Sequence, residues 1–132
     1  MIENYTNLLV GIRAIDMQHE DLIKLYNKLK YNVSKTGSTP LILSSHIQDI
    51  FYNLIDHLRT EELIMKTVRY TFLEEQKKNH KLILDTFDDL TIKMESNEIS
   101  LIEVLDTIKS LILNHISDNT DFSDFYKQVK NY

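Results

Sequence analysis

The chain of 132 residues is long enough to bury a core, and its length predicts one domain over residues 1–132. Its formal charge of −5 gives nucleic acid no electrostatic reason to bind. Cysteine is absent, which excludes disulfides and thiolate ligands, so any transition metal must be held by nitrogen and oxygen atoms.

The first residues and the apolar runs of the chain indicate where in the cell the protein is expected. No basic-then-apolar leader opens the sequence, and no apolar run approaches the roughly 18–20 residues that span a bilayer. We therefore expect a cytoplasmic protein that makes no membrane contact.

Helices dominate the predicted secondary structure. Two glycines and one proline are too few for an all-β or a parallel α/β fold. Apolar residues recur at helical spacing in four segments, at about residues 16–35, 41–68, 73–94 and 101–118. Four amphipathic helices with short connections predict an all-α, up-down-up-down four-helix bundle.

The remaining segments connect or close this bundle. Gly37 and Pro40 separate the first two helices, and Ser96 or Asn97 can cap the fourth. A short C-terminal helix over about residues 122–129 closes the chain. The first ten or so residues are expected to form an irregular N-terminal arm across one end.

Four of the five histidines place one imidazole on each predicted helix. His19, His57, His80 and His115 each have apolar neighbours three and four residues away, so each faces inward. A lone buried histidine is usually a satisfied core residue. Four together indicate a metal site, because imidazoles that converge in a core cost desolvation and repel when protonated unless a metal uses their lone pairs.

The second helix adds a carboxylate to the imidazoles. His57 and Glu61 are four residues apart on one helix face, so both side chains can reach the same cation or a pair of cations. Glu62 is interpreted as a solvated charge. His46 lies eleven residues before His57, roughly 16 Å along the helix axis, and is expected at the surface or at a bundle end.

Three motifs in the chain resemble those of the hemerythrin family. The stretch VGIRAIDMQHEDLIKLYNKL (10–29) is similar to the first-helix signature of the family, with its Gly-Ile, Ile-Asp and Gln-His pairs. HLRTEELIM (57–65) resembles the second motif, and NHI (114–116) resembles the last-helix motif. The spacing between the three also matches, and the resemblance covers nearly the whole chain.

The resemblance implies a non-haem di-iron centre inside a four-helix bundle, held by five histidines and two bridging carboxylates. By position, His19 and His57 would serve the iron that binds dioxygen, His80 and His115 would serve the other iron, and Glu61 would bridge them. Ile112, which can equally be plain core, matches an apolar residue that shields the bound oxygen.

The sequence departs from the family pattern at two ligand positions. The family carries His-x₃-His on its third helix, where this chain has Gln76, whose amide oxygen can coordinate iron or hold a water in the vacated position. The family has an aspartate five residues after its last histidine, where this chain has Thr120. A bulge near Asn119 would bring Asp121 to the bridge; Asp118 is the less favoured alternative.

The resemblance therefore implies a dioxygen-binding protein that stores, delivers or senses oxygen with two iron ions, the second of uncertain occupancy. An oxygen carrier is favoured over an enzyme. The alternatives are a bundle with altered or single-metal occupancy, an enzyme that reacts with peroxide, oxygen or nitric oxide, and a non-catalytic sensor. The candidate metal ligands are His19, His57, Glu61, Gln76, His80, His115 and Asp121.

Overall fold

The computed structural model describes residue 2, residues 9–35 and residues 40–130 of the chain. Within these stretches the protein has helices and no strand, which confirms the all-α prediction. The helices are α1 (Arg13–Ser34), α2 (Pro40–Thr67), α3 (Leu73–Glu95), α4 (Leu101–Asp118) and α5 (Thr120–Lys130). Residues 3–8 and Gly37, which include most of the predicted arm and one predicted helix break, lie outside the described residues.

The four long helices pack as a bundle, as predicted. Helix α1 contacts α2 and α4, and α3 contacts the same two helices. Their apolar faces meet in a core that includes Leu22, Leu54, Phe87 and Ile108. This core fills the bundle on one side of the histidines.

Side-chain contacts near the histidines show that successive helices run in opposite directions. Residues near the start of α1 and α3 meet residues in the C-terminal half of α2: Gln18 contacts His57, and His80 contacts Glu62. His57 in turn contacts His115 in the last turn of α4. Because helix starts meet helix ends, the topology is up-down-up-down.

Helix α1 begins three residues earlier than the apolar pattern indicates. The chain turns into it at Gly11, whose φ of 83° is a conformation that residues with a side chain rarely adopt. The carboxylate of Asp16 accepts hydrogen bonds from the backbone amides of Val10 (2.8 Å) and Gly11 (3.1 Å). This carboxylate satisfies amides that would otherwise be unpaired at the turn into the helix.

Helix α4 is capped by a residue other than those predicted. The sequence indicated Ser96 or Asn97, but the Ser100 hydroxyl accepts the hydrogen bond from the Glu103 amide at 3.2 Å. Asn97 instead lies two residues after the end of α3, with a left-handed φ of 59° that is typical of the residue just after a helix cap. The segment between α3 and α4 therefore contains one residue that turns the chain after a helix and another that caps the next helix.

A second apolar cluster closes the end of the bundle at which the histidines lie. It combines Val10 and Ile12 before α1, Met65 near the end of α2, Tyr70 after α2 and Phe122 of α5. Helix α5, the predicted short C-terminal helix, begins at Thr120, two residues earlier than expected. The histidines are thus enclosed between two apolar layers.

Candidate metal centre

Four histidines and one glutamate come together in the bundle interior, one or two from each long helix. His19, His57, Glu61, His80 and His115 are all buried, and Glu61 and His57 are 0% exposed. Ligand atoms of four of them, all except His80, lie within 4.8 Å of one another. The His80 ring centroid lies 5.5 Å from that of His115. The convergence expected from one inward histidine per helix is therefore present.

One oxygen of Glu61 is the focus of this cluster. Glu61 Oε1 lies 2.6 Å from His115 Nε2, 3.3 Å from His57 Nε2 and 3.6 Å from His80 Nε2. The Nε2 atoms of His57 and His115 are themselves 3.1 Å apart. Three imidazole nitrogens thus face a single carboxylate oxygen.

A chain of hydrogen bonds fixes which nitrogen of His57 carries its proton. The Thr60 hydroxyl donates to the Asp56 carbonyl (2.9 Å) and accepts from Gln18 Nε2 (3.0 Å). Gln18 Oε1 must then be the atom that accepts from His57 Nδ1, at 2.9 Å. In neutral His57 the Nε2 lone pair consequently points at Glu61.

His80 is oriented in the same way by Glu62. Its Nδ1 lies 2.8 Å from Glu62 Oε2, which can only accept, so Nδ1 donates. The opposite atom, Nε2, is buried and has no hydrogen-bond partner among the described residues. Glu62 is half-buried and bonded, which corrects the interpretation of this residue as a solvated charge.

Asn119, at the junction of α4 and α5, is a member of the cluster that the sequence did not indicate. It is 2% exposed, and its amide Nδ2 lies 2.7 Å from Glu61 Oε2 and 3.3 Å from His19 Nε2. One available signal was its position four residues after His115, which places both on the same helix face.

The three positions weighed for the second carboxylate lie elsewhere. Asp118, Thr120 and Asp121 are all exposed, and the structure does not bring them into the buried cluster. The Thr120 hydroxyl donates to the Ser117 carbonyl at 3.0 Å. No bulge carries Asp121 inward, because α4 ends at Asp118 and α5 starts at Thr120 with Asn119 turned toward Glu61.

The other sequence candidates fall around the cluster or far from it. Gln76 is half-buried on α3, one turn before His80, and Ile112 is buried on α4, one turn before His115. His46 lies outside the group, with Nε2 3.1 Å from Asn32 Nδ2 near the end of α1. The expectation that His46 stands apart is confirmed.

Burial and mutual contact shift the acid–base properties of these groups. Burial, reinforced by the nearby His57, lowers the pKa of His19 to about 3. Burial also lowers the pKa of His57, against the opposing effect of Glu61. Burial would raise the pKa of Glu61, but the contact with His115, and after it the contact with His57, outweighs burial, so that this pKa lies below its ordinary value. Near neutral pH, Glu61 is ionised beside neutral His19 and His57.

The donor set fits a cation. His57 and His80 hold their protons on the outward Nδ1, so their inward Nε2 lone pairs face the buried Glu61 oxygen. A positive ion between these atoms would remove the repulsion between the lone pairs and the carboxylate. The atoms available are nitrogen and oxygen, the ligands of first-row transition metals in cysteine-free sites.

Comparisons with known proteins agree with this site. Residues 10–121 match the family described as Hemerythrin HHE cation binding domain. The chain belongs to the hemerythrin family. Its cation-binding site is the buried group of His19, His57, Glu61 and His115, with His80 against it.

Individual relatives within the hemerythrin family are distant in sequence. Bacteriohemerythrin of Pseudomonas aeruginosa (strain LESB58) is 25% identical over 123 residues, covering 89% of this chain and 76% of the relative. Bacteriohemerythrin of Stenotrophomonas maltophilia (strain R551-3) is 25% identical over 125 residues, covering 94% and 78%. No solved structure matches the chain. Across the described part of the chain, no helix has both the length and the apolar character needed to cross a membrane.

Proposed function

We propose that this protein binds iron in the buried cluster and, through it, binds dioxygen reversibly for storage, delivery or sensing. One observation carries the proposal: three imidazole Nε2 atoms face Glu61 Oε1, at 2.6, 3.3 and 3.6 Å, inside an apolar bundle. Such an arrangement of buried lone pairs is costly without a cation.

Iron is the metal that the family resemblance implies, and the ligands are compatible with it. Imidazole and carboxylate donors suit iron, and no thiolate is present to favour a softer metal. When bound, iron supplies the reversible exchange of electrons that dioxygen binding requires. The matched family is described as a cation-binding domain, which supports a metal ion at this site.

The surrounding residues keep water away from the site. Ile112 is buried one turn before His115, and Leu58 is buried next to His57 in the same apolar core. These side chains would exclude water and so slow proton delivery into the site. We propose Ile112 as the residue that shields the oxygen.

We propose Gln76 and Asp121 as further metal ligands, although neither contacts the buried cluster in the structure. Gln76 is one turn before His80, where its amide oxygen can reach a metal or hold a water at an open position. Asp121 is exposed and would need to move to take part. The resemblance implies two iron ions, and the count depends on the second carboxylate.

The test is anaerobic loading with ferrous iron, followed by absorbance spectra under argon, under oxygen and again under argon. We expect iron retained after desalting and an oxygen-dependent absorption band that disappears on degassing. His46→Gln is the matched control, because it removes a histidine outside the cluster and should leave the spectra unchanged. Protein that retains no iron, or iron that oxygen oxidises without reversal, would contradict the proposal.

A further inference from the structure

The amide of Asn119 occupies a specific point in the cluster, between Glu61 and His19. Its Nδ2 lies 2.7 Å from Glu61 Oε2 and 3.3 Å from His19 Nε2, and the residue is buried. A carboxylate oxygen can only accept, so the group facing Glu61 is the NH₂ and not the amide oxygen. The NH₂ group has two hydrogens, so it can donate one hydrogen bond to Glu61 Oε2 and one to His19 Nε2.

This NH₂ group faces two acceptor atoms, Glu61 Oε2 and His19 Nε2, that a second metal ion would also need. Glu61 and His19 would hold such an ion through these two lone-pair atoms, which Asn119 already satisfies. An amide NH₂ offers hydrogens and no lone pair for coordination. The same two acceptors are therefore satisfied by hydrogen bonds instead of by a metal.

We propose that Asn119 takes the place of the second metal ion, so that the site holds one ion bound by Glu61 Oε1 and the Nε2 atoms of His57, His80 and His115. The proposal rests on the proposed function in taking the cluster to bind iron, and it goes further by assigning the number of ions and their ligands. His19, whose ligand atom also lies within 4.8 Å of those of His57, Glu61 and His115, is then held beside the ion by Asn119 instead of binding it.

The distances around Glu61 Oε1 agree with a single coordination shell. With metal–ligand distances of about 2.0–2.2 Å, neighbouring ligand atoms of one ion lie roughly 3–3.5 Å apart. Oε1 is 3.3 Å from His57 Nε2 and 3.6 Å from His80 Nε2, and the Nε2 atoms of His57 and His115 are 3.1 Å apart. The shorter 2.6 Å contact with His115 is a hydrogen-bond length, and an ion would widen it.

Charge balance also favours one ion. One divalent cation is neutralised by Glu61 together with Glu62, which lies on the outer side of His80. Two divalent cations would leave a net positive charge buried among neutral imidazoles and apolar side chains, and burying uncompensated charge is costly. The family's second carboxylate would have reduced that charge, whereas Asn119 does not.

The experiment compares iron per folded chain in three proteins loaded anaerobically and desalted: the natural protein, Asn119→Asp and Thr120→Asp. We expect one iron in the natural protein and two in Asn119→Asp, because the new carboxylate would face the acceptors that now hold the amide. Thr120→Asp places a carboxylate at the family's spacing but on an exposed side chain, so we expect it to keep one iron.

A spectroscopic measurement on the natural protein alone provides a second test if Asn119→Asp does not fold. After oxidation, isolated high-spin ferric ions give an electron paramagnetic resonance signal that accounts for all the iron, whereas bridged pairs couple and lose it. A full signal supports one ion. Three results would overturn the proposal while leaving iron binding intact. They are two irons in the natural protein, loss of its electron paramagnetic resonance signal, and a folded Asn119→Asp that still binds one iron. No iron in any variant would overturn the proposed function as well.

Discussion

Glu61 is the residue on which metal binding most depends, because its Oε1 faces three imidazoles and no other carboxylate joins the buried group of described ligands. Glu61→Gln keeps the shape of the side chain and removes its charge. We expect metal affinity to fall by at least about 100-fold, as charge-assisted contacts to a cation are lost. A competition titration with a chelator measures this. Unchanged affinity would place the metal elsewhere.

Gln18 does not face the metal site itself but orients His57, because its Oε1 accepts a hydrogen bond from His57 Nδ1. Gln18→Ala would leave that nitrogen without its acceptor and allow the ring to turn. Such partners of metal-binding histidines are worth roughly 10–100-fold in affinity, and we expect a loss in that range. Gln48→Ala, which changes an exposed glutamine on α2, is the matched control. Equal affinities for the two variants would show that Gln18 does not position the ligand.

The buried histidines predict how the stability of the metal-free protein depends on pH. The folded pKa of His19 is about 3, below the unfolded value of 6.5, so the unfolded chain binds more protons between those values. Stability must therefore fall as pH falls through this window, by about 2 kcal/mol from His19 between pH 7 and pH 5. His57, with a lowered pKa, and Glu61, whose lowered pKa acts below its unfolded value of 4.5, change stability in the same direction.

Urea unfolding of the metal-free protein at pH 7 and pH 5 measures this effect. His19→Gln should lose part of the difference between the two pH values, whereas His46→Gln should retain it, because His46 lies outside the buried cluster. A free energy of unfolding that is equal or greater at pH 5 would contradict the described environment of the cluster.

At this residue scale the sequence predicted most of the cluster and missed one member. The four histidines and Glu61 could be found because inward helix faces and an i, i+4 pair bring such residues together. Asn119 was missed because the family's spacing directs attention one residue later, to Thr120. An asparagine beside a helix end is ordinarily a cap, and only the turn between α4 and α5 shows that its amide points inward.

At the scale of helices, the ends depend on side chains that periodicity does not reveal. Ser100 accepts from the Glu103 amide and so satisfies one of the unpaired donors at the start of α4. Ser100→Ala is expected to lower the free energy of unfolding by about 1 kcal/mol. Ser110→Ala, at an exposed position in the middle of the same helix, should be neutral or slightly stabilising. Chemical denaturation measures the free energy of unfolding of both variants. Equal losses in the two variants would contradict a capping role for Ser100.

The long helices themselves were predictable to within a few residues. Helix α4 has the predicted bounds, and α2 and α3 differ by one residue at their ends, because strong apolar periodicity specifies where a helix continues. The start of α1 was predicted three residues late. The bonds from Val10 and Gly11 to the Asp16 side chain join residues outside the helix to one inside, and a pattern of apolar spacing carries no information about them.

At the scale of the whole molecule, the up-down-up-down topology makes the site. It brings the start of α1 and α3 to the ends of α2 and α4, so that one histidine from each helix reaches a common point. The cluster of Val10, Ile12, Met65, Tyr70 and Phe122 then closes that end. The bundle could be predicted from four amphipathic segments, and a closing C-terminal helix was expected. The residues that α5 contacts could not be predicted, since its short apolar face has no unique partner in the sequence.

The central claim is that the buried cluster of Glu61 and the histidines holds the metal. X-ray absorption at the iron edge of the ferrous-loaded protein tests it most directly, because it reports the atoms around the ion. We predict a shell of nitrogen and oxygen atoms at about 2.0–2.2 Å with the multiple scattering of several imidazoles. An iron environment of oxygen atoms alone, without imidazole, would contradict the claim, since it would place the metal on surface carboxylates instead.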